Sequence, residues 1–210
     1  MLVVQNFSKS YGDLLVLALP HAQFLPGVYW IKGENGSGKT TFFKALAGLH
    51  PCEGSIRFGD GVDLHQHPVP YRRKVNYSEA EPQFPGFLTP KDLFLFIGKA
   101  KHASTAQQQS LINTFGIAPY YEKPCETHSS GMLKKVSLAL AFLGSPQLII
   151  LDEPLITLDE SARNILLTLM NERITKDEVT FLVSSHQALE SDLLLVRETY
   201  AIQNKTLIRL

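Results

Sequence analysis

The sequence predicts an α/β fold in which helices cover a parallel sheet. Three observations carry that prediction. An apolar run, Val28-Tyr29-Trp30-Ile31, leads through a glycine-rich loop into the helix-compatible Phe42-Phe43-Lys44-Ala45-Leu46-Ala47. Two later runs, Gln147-Leu148-Ile149-Ile150-Leu151 and Val179-Thr180-Phe181-Leu182-Val183-Ser184, are dominated by apolar residues, as parallel strands buried on both faces are. Between loop and runs, an all-helical block at about 89–143 interrupts the strand–helix alternation, which marks it as a subdomain inserted into the core.

The elements follow in order. Leu2-Val3-Val4-Gln5-Asn6-Phe7 reads as a short strand, 8–13 as a turn from its Ser, Gly and Asp residues, and 14–19 as a second strand. Pro26-Gly27 turns the chain into the strand before the loop. Residues 48–54 read as a loop, 55–59 as a strand and 60–70 as irregular chain. His65 and His67 stand two apart with no third or fourth ligand close in sequence, so they read as surface-loop residues. A strand at 74–77 and a loop at 78–86 come next. Thr89 is suited to cap a helix and Pro90 to open it, with Leu93, Phe94, Phe96 and Ile97 on the apolar side. A helix at 103–115 presents Gln107, Gln108 and Gln109 on a solvated face. A third helix follows Ser129-Ser130-Gly131 and stops at Gly144-Ser145-Pro146. Helices at 161–174 and 187–195, then a hairpin around Gln203-Asn204-Lys205, complete the chain.

The 210 residues are 44% hydrophobic, enough for a sizeable core. Twenty basic residues balance 20 acidic ones, so the chain as a whole has no electrostatic footprint for nucleic acid, and none is expected as a partner. Cys52 and Cys125 lie far apart and read as free thiols in a reducing compartment. No apolar run approaches the ~18–20 residues of a membrane span, and the first residues lack a signal-peptide pattern. The expectation is a soluble, cytoplasmic protein without direct membrane insertion.

Gly33-Glu34-Asn35-Gly36-Ser37-Gly38-Lys39-Thr40-Thr41 fits G-x-x-x-x-G-K-[ST], the phosphate-cradling P-loop, in the strand–loop–helix setting that motif requires. Glycines let the backbone approach an anion, and amides at the helix N-terminus face it. Lys39 is expected to reach the β/γ-phosphates and Thr40 to offer its hydroxyl to Mg²⁺. Leu148-Ile149-Ile150-Leu151 ends in Asp152-Glu153, two acids at the carboxyl end of a buried strand, where ligands bind in open α/β sheets. This resembles a Walker B strand. Asp152 is then expected to hold Mg²⁺ and Glu153 to act on the attacking water as general base.

With these elements the chain resembles the ATP-binding subunits of ABC transporters along nearly its whole length. The resemblance implies a P-loop NTPase (RecA-like) core with a parallel sheet, an N-terminal antiparallel β subdomain and an inserted α-helical subdomain at about 87–145, all within one ATP-binding domain, 1–210. It implies that Tyr11 stacks on adenine. Ser129, Ser130 and Gly131 are similar to the family's signature segment, which binds the γ-phosphate held by an opposite subunit. His186, in Ser184-Ser185-His186, resembles the switch histidine at the γ-phosphate, and Thr157-Leu158-Asp159 the D-loop. One element departs. Where the family has a glutamine that touches Mg²⁺ and the attacking water, the chain has Ala80 or Glu81, with Gln83 out of register. Glu81 carries an oxygen and is the expected substitute at the metal.

The function implied is ATP hydrolysis, catalysed with Glu153, His186 and Lys39, in a head-to-tail homo- or heterodimer. A separate transmembrane permease would keep the subunit peripheral on the inner face of the cell membrane. Gly131-Met132 and the lysines after it are similar to exporter-type subunits. Two rivals are a soluble ABC-type ATPase acting on ribosomes or DNA, and a nucleotide switch that does not hydrolyse. The first usually carries fused nucleotide domains, a coiled coil or basic extensions, which this chain lacks; Glu153 and His186 argue against the second.

Overall fold

Strand β1, Leu2–Tyr11, buries Leu2 and Val4, then Phe7 and Lys9. That change of phase comes from a bulge: Asn6 has φ 51°, and the pairing register shifts between Gln5 and Ser8. A bulge adds one residue to a strand and turns the following side chains to the other face. Gly54 accommodates it, since a Cβ there would stand 2.4 Å from the Asn6 carbonyl. β2, Leu14–Phe24, lies at an edge, where Pro20 is tolerated. The expected turn at 8–13 shrinks to Gly12-Asp13, because cross-strand pairing carries both strands to the tip.

The computed structural model describes residues 1–185 and 194–210. After β2 come β3 (Gly27–Lys32), α1 (Lys39–Leu46), β4 (Glu53–Phe58), α2 (Pro68–Lys74) and β5 (Val75–Ser78). The helical block is α3 (Pro90–Ala100), α4 (Thr105–Thr114) and α5 (Ser130–Ala141). β6 (Leu148–Leu151), α6 (Glu160–Asp177), β7 (Thr180–Ser184), β8 (Val196–Gln203) and β9 (Thr206–Arg209) follow. β2, β1 and β4 form an antiparallel sheet in that order; the second sheet runs β5-β6-β7-β3-β8-β9, parallel except for β9.

The apolar runs of β6 and β7 serve two cores. Ile149, Leu151, Phe181 and Val183 pack toward the helical block; Leu148, Ile150 and Leu182 pack toward α1 and the antiparallel sheet. Neither face reaches water, so the polar residues of these strands, Thr180 and Ser184, stand only at the ends of β7.

Three expectations change. Residues 68–74 are helical: Pro68 opens the turn and the buried Tyr71 donates its hydroxyl to the Leu46 carbonyl at 2.8 Å. Phe96 is 77% exposed, because helical spacing from the buried Leu93 and Phe94 puts it on the outer face with Leu95. Gln107 is not simply solvated: its amide donates to the Gly144 carbonyl at 2.8 Å and accepts from the Gly144 amide at 2.9 Å. Gln108 also bonds to backbone, at Ala103. The cap expectation holds, with Thr89 and Asp92 forming a reciprocal capping box. The helix expected at 187–195 lies largely outside the described residues.

The buried Asn76 of β5 ties the two lobes. Its side-chain amide donates to the Ala141 and Leu143 carbonyls at the end of α5, at 2.8 Å each. Asn76→Leu leaves both acceptors buried without that donor. It is expected to lower the free energy of unfolding by about 2–4 kcal/mol, read by denaturant titration.

Candidate active site

Parallel pairing brings the carboxyl ends of β3, β6 and β7 to one edge of the sheet: Trp30 and Leu151 both stand opposite Val183. The residues that follow these strands therefore meet. After β3 comes the loop at 33–38. Gly36 and Gly38 have φ 80° and 103°, values that turn the backbone in a way side chains resist. Gly38 is also where α1 begins, and a Cβ on it would meet Val16 at 3.0 Å. Ser37 closes a turn onto the Glu34 carbonyl at 3.2 Å. Lys39, the first residue of α1, folds back over the loop: its Nζ donates to the Gly33 carbonyl at 2.6 Å and the Glu34 carbonyl at 3.0 Å.

Thr40 Oγ1 donates to Asp152 Oδ2 at 2.7 Å, joining the loop to the end of β6. Ser184, at the end of β7, donates to the other oxygen, Asp152 Oδ1, at 2.5 Å, and accepts from the Glu153 amide at 2.9 Å. One hydroxyl thus holds the Asp152 carboxylate and the main chain of Glu153. Tyr77 also donates to Asp152 Oδ2, at 3.4 Å; burial, then the negative charge of Asp152, push its phenol well above the usual range and keep it protonated. Glu153 is buried and has φ 44°, a strained conformation of the kind found at functional sites.

These groups line a cavity of about 430 Å³ formed by Val16, Asn35, Gly36, Gly38, Lys39, Thr40, Thr41, Ala80, Asp152 and Glu153. Two hard oxygen donors, Thr40 and Asp152, stand side by side in it, a set that suits magnesium. Of the two residues at the departing loop, Ala80 lines the cavity; Glu81 is exposed and is not among the lining residues. The structure therefore brings the side chain without an oxygen, and not that of Glu81, to the cavity wall. Glu79 of the same loop pairs with Lys44 of α1 at 3.1 Å.

Other expected residues stand apart from the cavity. Tyr11 is half exposed at the end of β1; its hydroxyl lies 3.0 Å from His50 Nδ1, and the Lys9 ammonium sits 4.4 Å from its ring centre. Ser129 caps α5 by accepting from the Met132 amide at 3.3 Å, followed by Ser130 and Gly131 in the first turn. A Cβ on Gly131 would meet the Thr157 carbonyl at 3.0 Å, and Lys135 pairs with Asp159 at 2.7 Å. The start of α5 and the bend at 157–159 are thus in contact, and residues 129–131 are not among those lining the cavity. Asp159 also caps α6. His186 lies outside the described residues. Before it, the Ser185 carbonyl accepts from the Trp30 indole at 2.9 Å. His65 and His67 are exposed, as expected.

Sequence reasoning gave no role to Lys134, which is fully buried in α5. Burial lowers its ammonium to about 8, against the pull of Asp152, Glu153, Glu79 and Glu81. The orienting role of Ser184 was also unread. Its place at the end of the strand beside β6 was the available signal.

The family model described as ABC transporter matches residues 26–156, more than half of the chain and inclusive of both the loop and the acid pair. The chain belongs to the ABC transporter family. It is 31% identical over 188 residues to the lantibiotic transport ATP-binding protein SrtF of Streptococcus pyogenes, covering 89% of this chain and 80% of that one. It is 30% identical to the ABC transporter ATP-binding protein NatA of Bacillus subtilis, covering 76% of this chain and 66% of that one. Among solved structures, the ATP-binding subunit of an ABC transporter superposes with a TM-score of 0.87 at 27% identity, over 98% of this chain and 87% of that chain. A dimeric ATP-binding cassette in a post-hydrolysis state, bound to ADP and Pi, shares the fold with a TM-score of 0.82 at 18% identity, over 98% of this chain and 96% of that one. As a member of the ABC transporter family, the chain is an ATP-binding, ATP-hydrolysing subunit that energises transport. Among its described residues, no helix is long and apolar enough to cross a membrane.

Proposed function

We propose that this ABC subunit hydrolyses ATP at the cavity between the 33–41 loop and Asp152-Glu153, within a head-to-tail pair of nucleotide-binding subunits that drives a separate membrane permease. The observation that carries this reading is the Thr40–Asp152 bond of 2.7 Å. It sets the loop's hydroxyl and a strand-end carboxylate side by side, with Glu153 as the next residue.

Roles follow from position. The amides of the loop and the start of α1 receive the phosphates, and Lys39 neutralises their charge. Thr40 and Asp152 would hold magnesium, which would offset phosphate charge when bound. Ser184 fixes the carboxylate of Asp152, and Glu153 takes up the proton of the attacking water. His186 is assigned to the γ-phosphate by resemblance, and Tyr11 to adenine. Ser129 and Ser130 are exposed and do not line the cavity of their own chain, which supports their use at the ATP of a second subunit.

Phe87 and Phe96, each 77% exposed, and Leu95, 57% exposed, leave apolar surface uncovered at and before α3. Such surface marks an interaction site and fits docking of the permease on the helical subdomain. Docking there would place the subunit at the inner face of the membrane. Its relatives include the Nod factor export ATP-binding protein I of Burkholderia orbicola, 30% identical over 92% of this chain and 65% of that one, which supports export as the direction.

The test is phosphate release from ATP by the purified chain with and without magnesium, joined to co-purification from detergent-solubilised membranes. Magnesium-dependent release and a recovered polytopic membrane protein are expected. Release without a membrane partner, but with ribosomes recovered instead, would overturn the transport role.

A further inference from the structure

Lys134 lies one turn beyond Ser130 on α5 and is fully buried. Its Nζ donates to three main-chain carbonyls: Glu79 at 2.7 Å, Ala80 at 3.0 Å and Asp152 at 3.2 Å. An ammonium has three N–H donors, so these acceptors match its full capacity. A buried charge is unfavourable unless it is satisfied in this way.

Two of the three carbonyls belong to residues that line the ATP cavity, and the third, of Glu79, belongs to the residue just before Ala80. Ala80 lines it from the loop after β5, and Asp152 lines it from the end of β6. The helix that carries Lys134 starts with the segment at 129–131. One side chain therefore fastens three elements: the helix behind the candidate partner-facing segment, the cavity wall formed by Ala80, and the strand end bearing both acids. Lys134 itself is buried and does not line the cavity.

We propose that Lys134 is a positioning residue for hydrolysis, holding Asp152-Glu153 and the Ala80 wall in register with α5. The inference rests on the reading of the chain as an ATPase. It predicts that chemistry depends on Lys134 more than ATP binding does, because the phosphate-binding loop at 33–41 makes none of these three bonds.

The experiment is steady-state ATPase kinetics of the full chain with magnesium, for Lys134→Met and Lys134→Gln, alongside denaturant unfolding. Lys134→Met keeps an unbranched side chain one atom shorter and removes all three donors; Lys134→Gln, of the same length as Met, returns two N–H donors. For Lys134→Met, kcat is expected to fall about 10–100-fold, the range typical of supports behind a metal site, while KM for ATP stays within about threefold. Lys134→Gln is expected to recover part of kcat. Unchanged kcat in a folded Lys134→Met protein would overturn the inference. So would kcat and stability falling together in both variants, with no recovery by Lys134→Gln, since that is the pattern of a purely structural residue. If Lys134→Met does not fold, Lys134→Gln decides: lowered kcat at constant KM supports the role, and unchanged kcat rejects it. Absence of phosphate release by the unmodified protein would instead overturn the hydrolysis reading, and this inference with it.

Discussion

Glu153→Gln is expected to reduce the rate of ATP hydrolysis by about 10³-fold, within the range for loss of a general base. That equals about 4 kcal/mol of transition-state stabilisation. The substitution is nearly isosteric, and the amide of residue 153 keeps its bond to Ser184, so the strained backbone at φ 44° is retained. Asp152 and Thr40 keep their contact. What disappears is a group able to accept the water's proton. ATP affinity is expected to persist, and ATP should then trap the closed pair of subunits. Size-exclusion chromatography with ATP and magnesium reads this as a shift from monomer to dimer that ADP does not produce. Hydrolysis at the unmodified rate would remove Glu153 from the reaction.

Lys39→Ala should lose binding as well as hydrolysis. Its ammonium sits over the loop at 2.6 and 3.0 Å from the Gly33 and Glu34 carbonyls, at the mouth of a helix N-terminus. Removing it takes away a fixed positive charge where phosphate charge must be held. A loss of about 10²–10³-fold in kcat/KM is expected, the measured range for removing one such electrostatic donor. ATP binding, read by calorimetry with a non-hydrolysed analogue, should weaken as well, and no ATP-dependent dimer should form. The far-ultraviolet circular dichroism should stay unchanged, because the lost bonds are to loop carbonyls and not to the sheet. Undiminished analogue binding would mean that the loop amides alone hold the phosphates. The two variants therefore separate binding from chemistry at one cavity.

Much of the candidate site was legible because its chemistry is local in sequence. The loop at 33–41 and the pair Asp152-Glu153 each announce themselves within a few residues, and parallel strand pairing brings them together. Lys134 and Ser184 were not legible in the same way. Lys134 looks like an ordinary helix-surface lysine in sequence; only the packing of α5 against the 79–80 loop and the end of β6 buries it. Ser184 bonds to acids more than 30 residues before it, a relation set by β6–β7 pairing. For the fold, the apolar runs of β6 and β7 carried the strongest signal, since both faces are covered. α2 escaped because its seven residues contain two prolines and one buried side chain, Tyr71, too few for a helical period to stand out. Phe96 shows the converse: hydrophobicity suggested burial, while spacing along α3 put it outside.

The order of strands in the larger sheet has a consequence for how the chain comes into being on the ribosome. β3, which feeds the loop at 33–41, is made early, yet both its neighbours, β7 and β8, are encoded about 150 residues later. Pairing across such separations is slow, since a long loop must close before any contact rewards it. Until Thr180–Ser184 and Val196–Gln203 emerge, β3 has two open edges, and its apolar residues Val28, Tyr29 and Ile31 lack their native cover. The segment destined to grip ATP is thus synthesised well before its neighbouring strands can lock it, a window in which chaperone protection matters most.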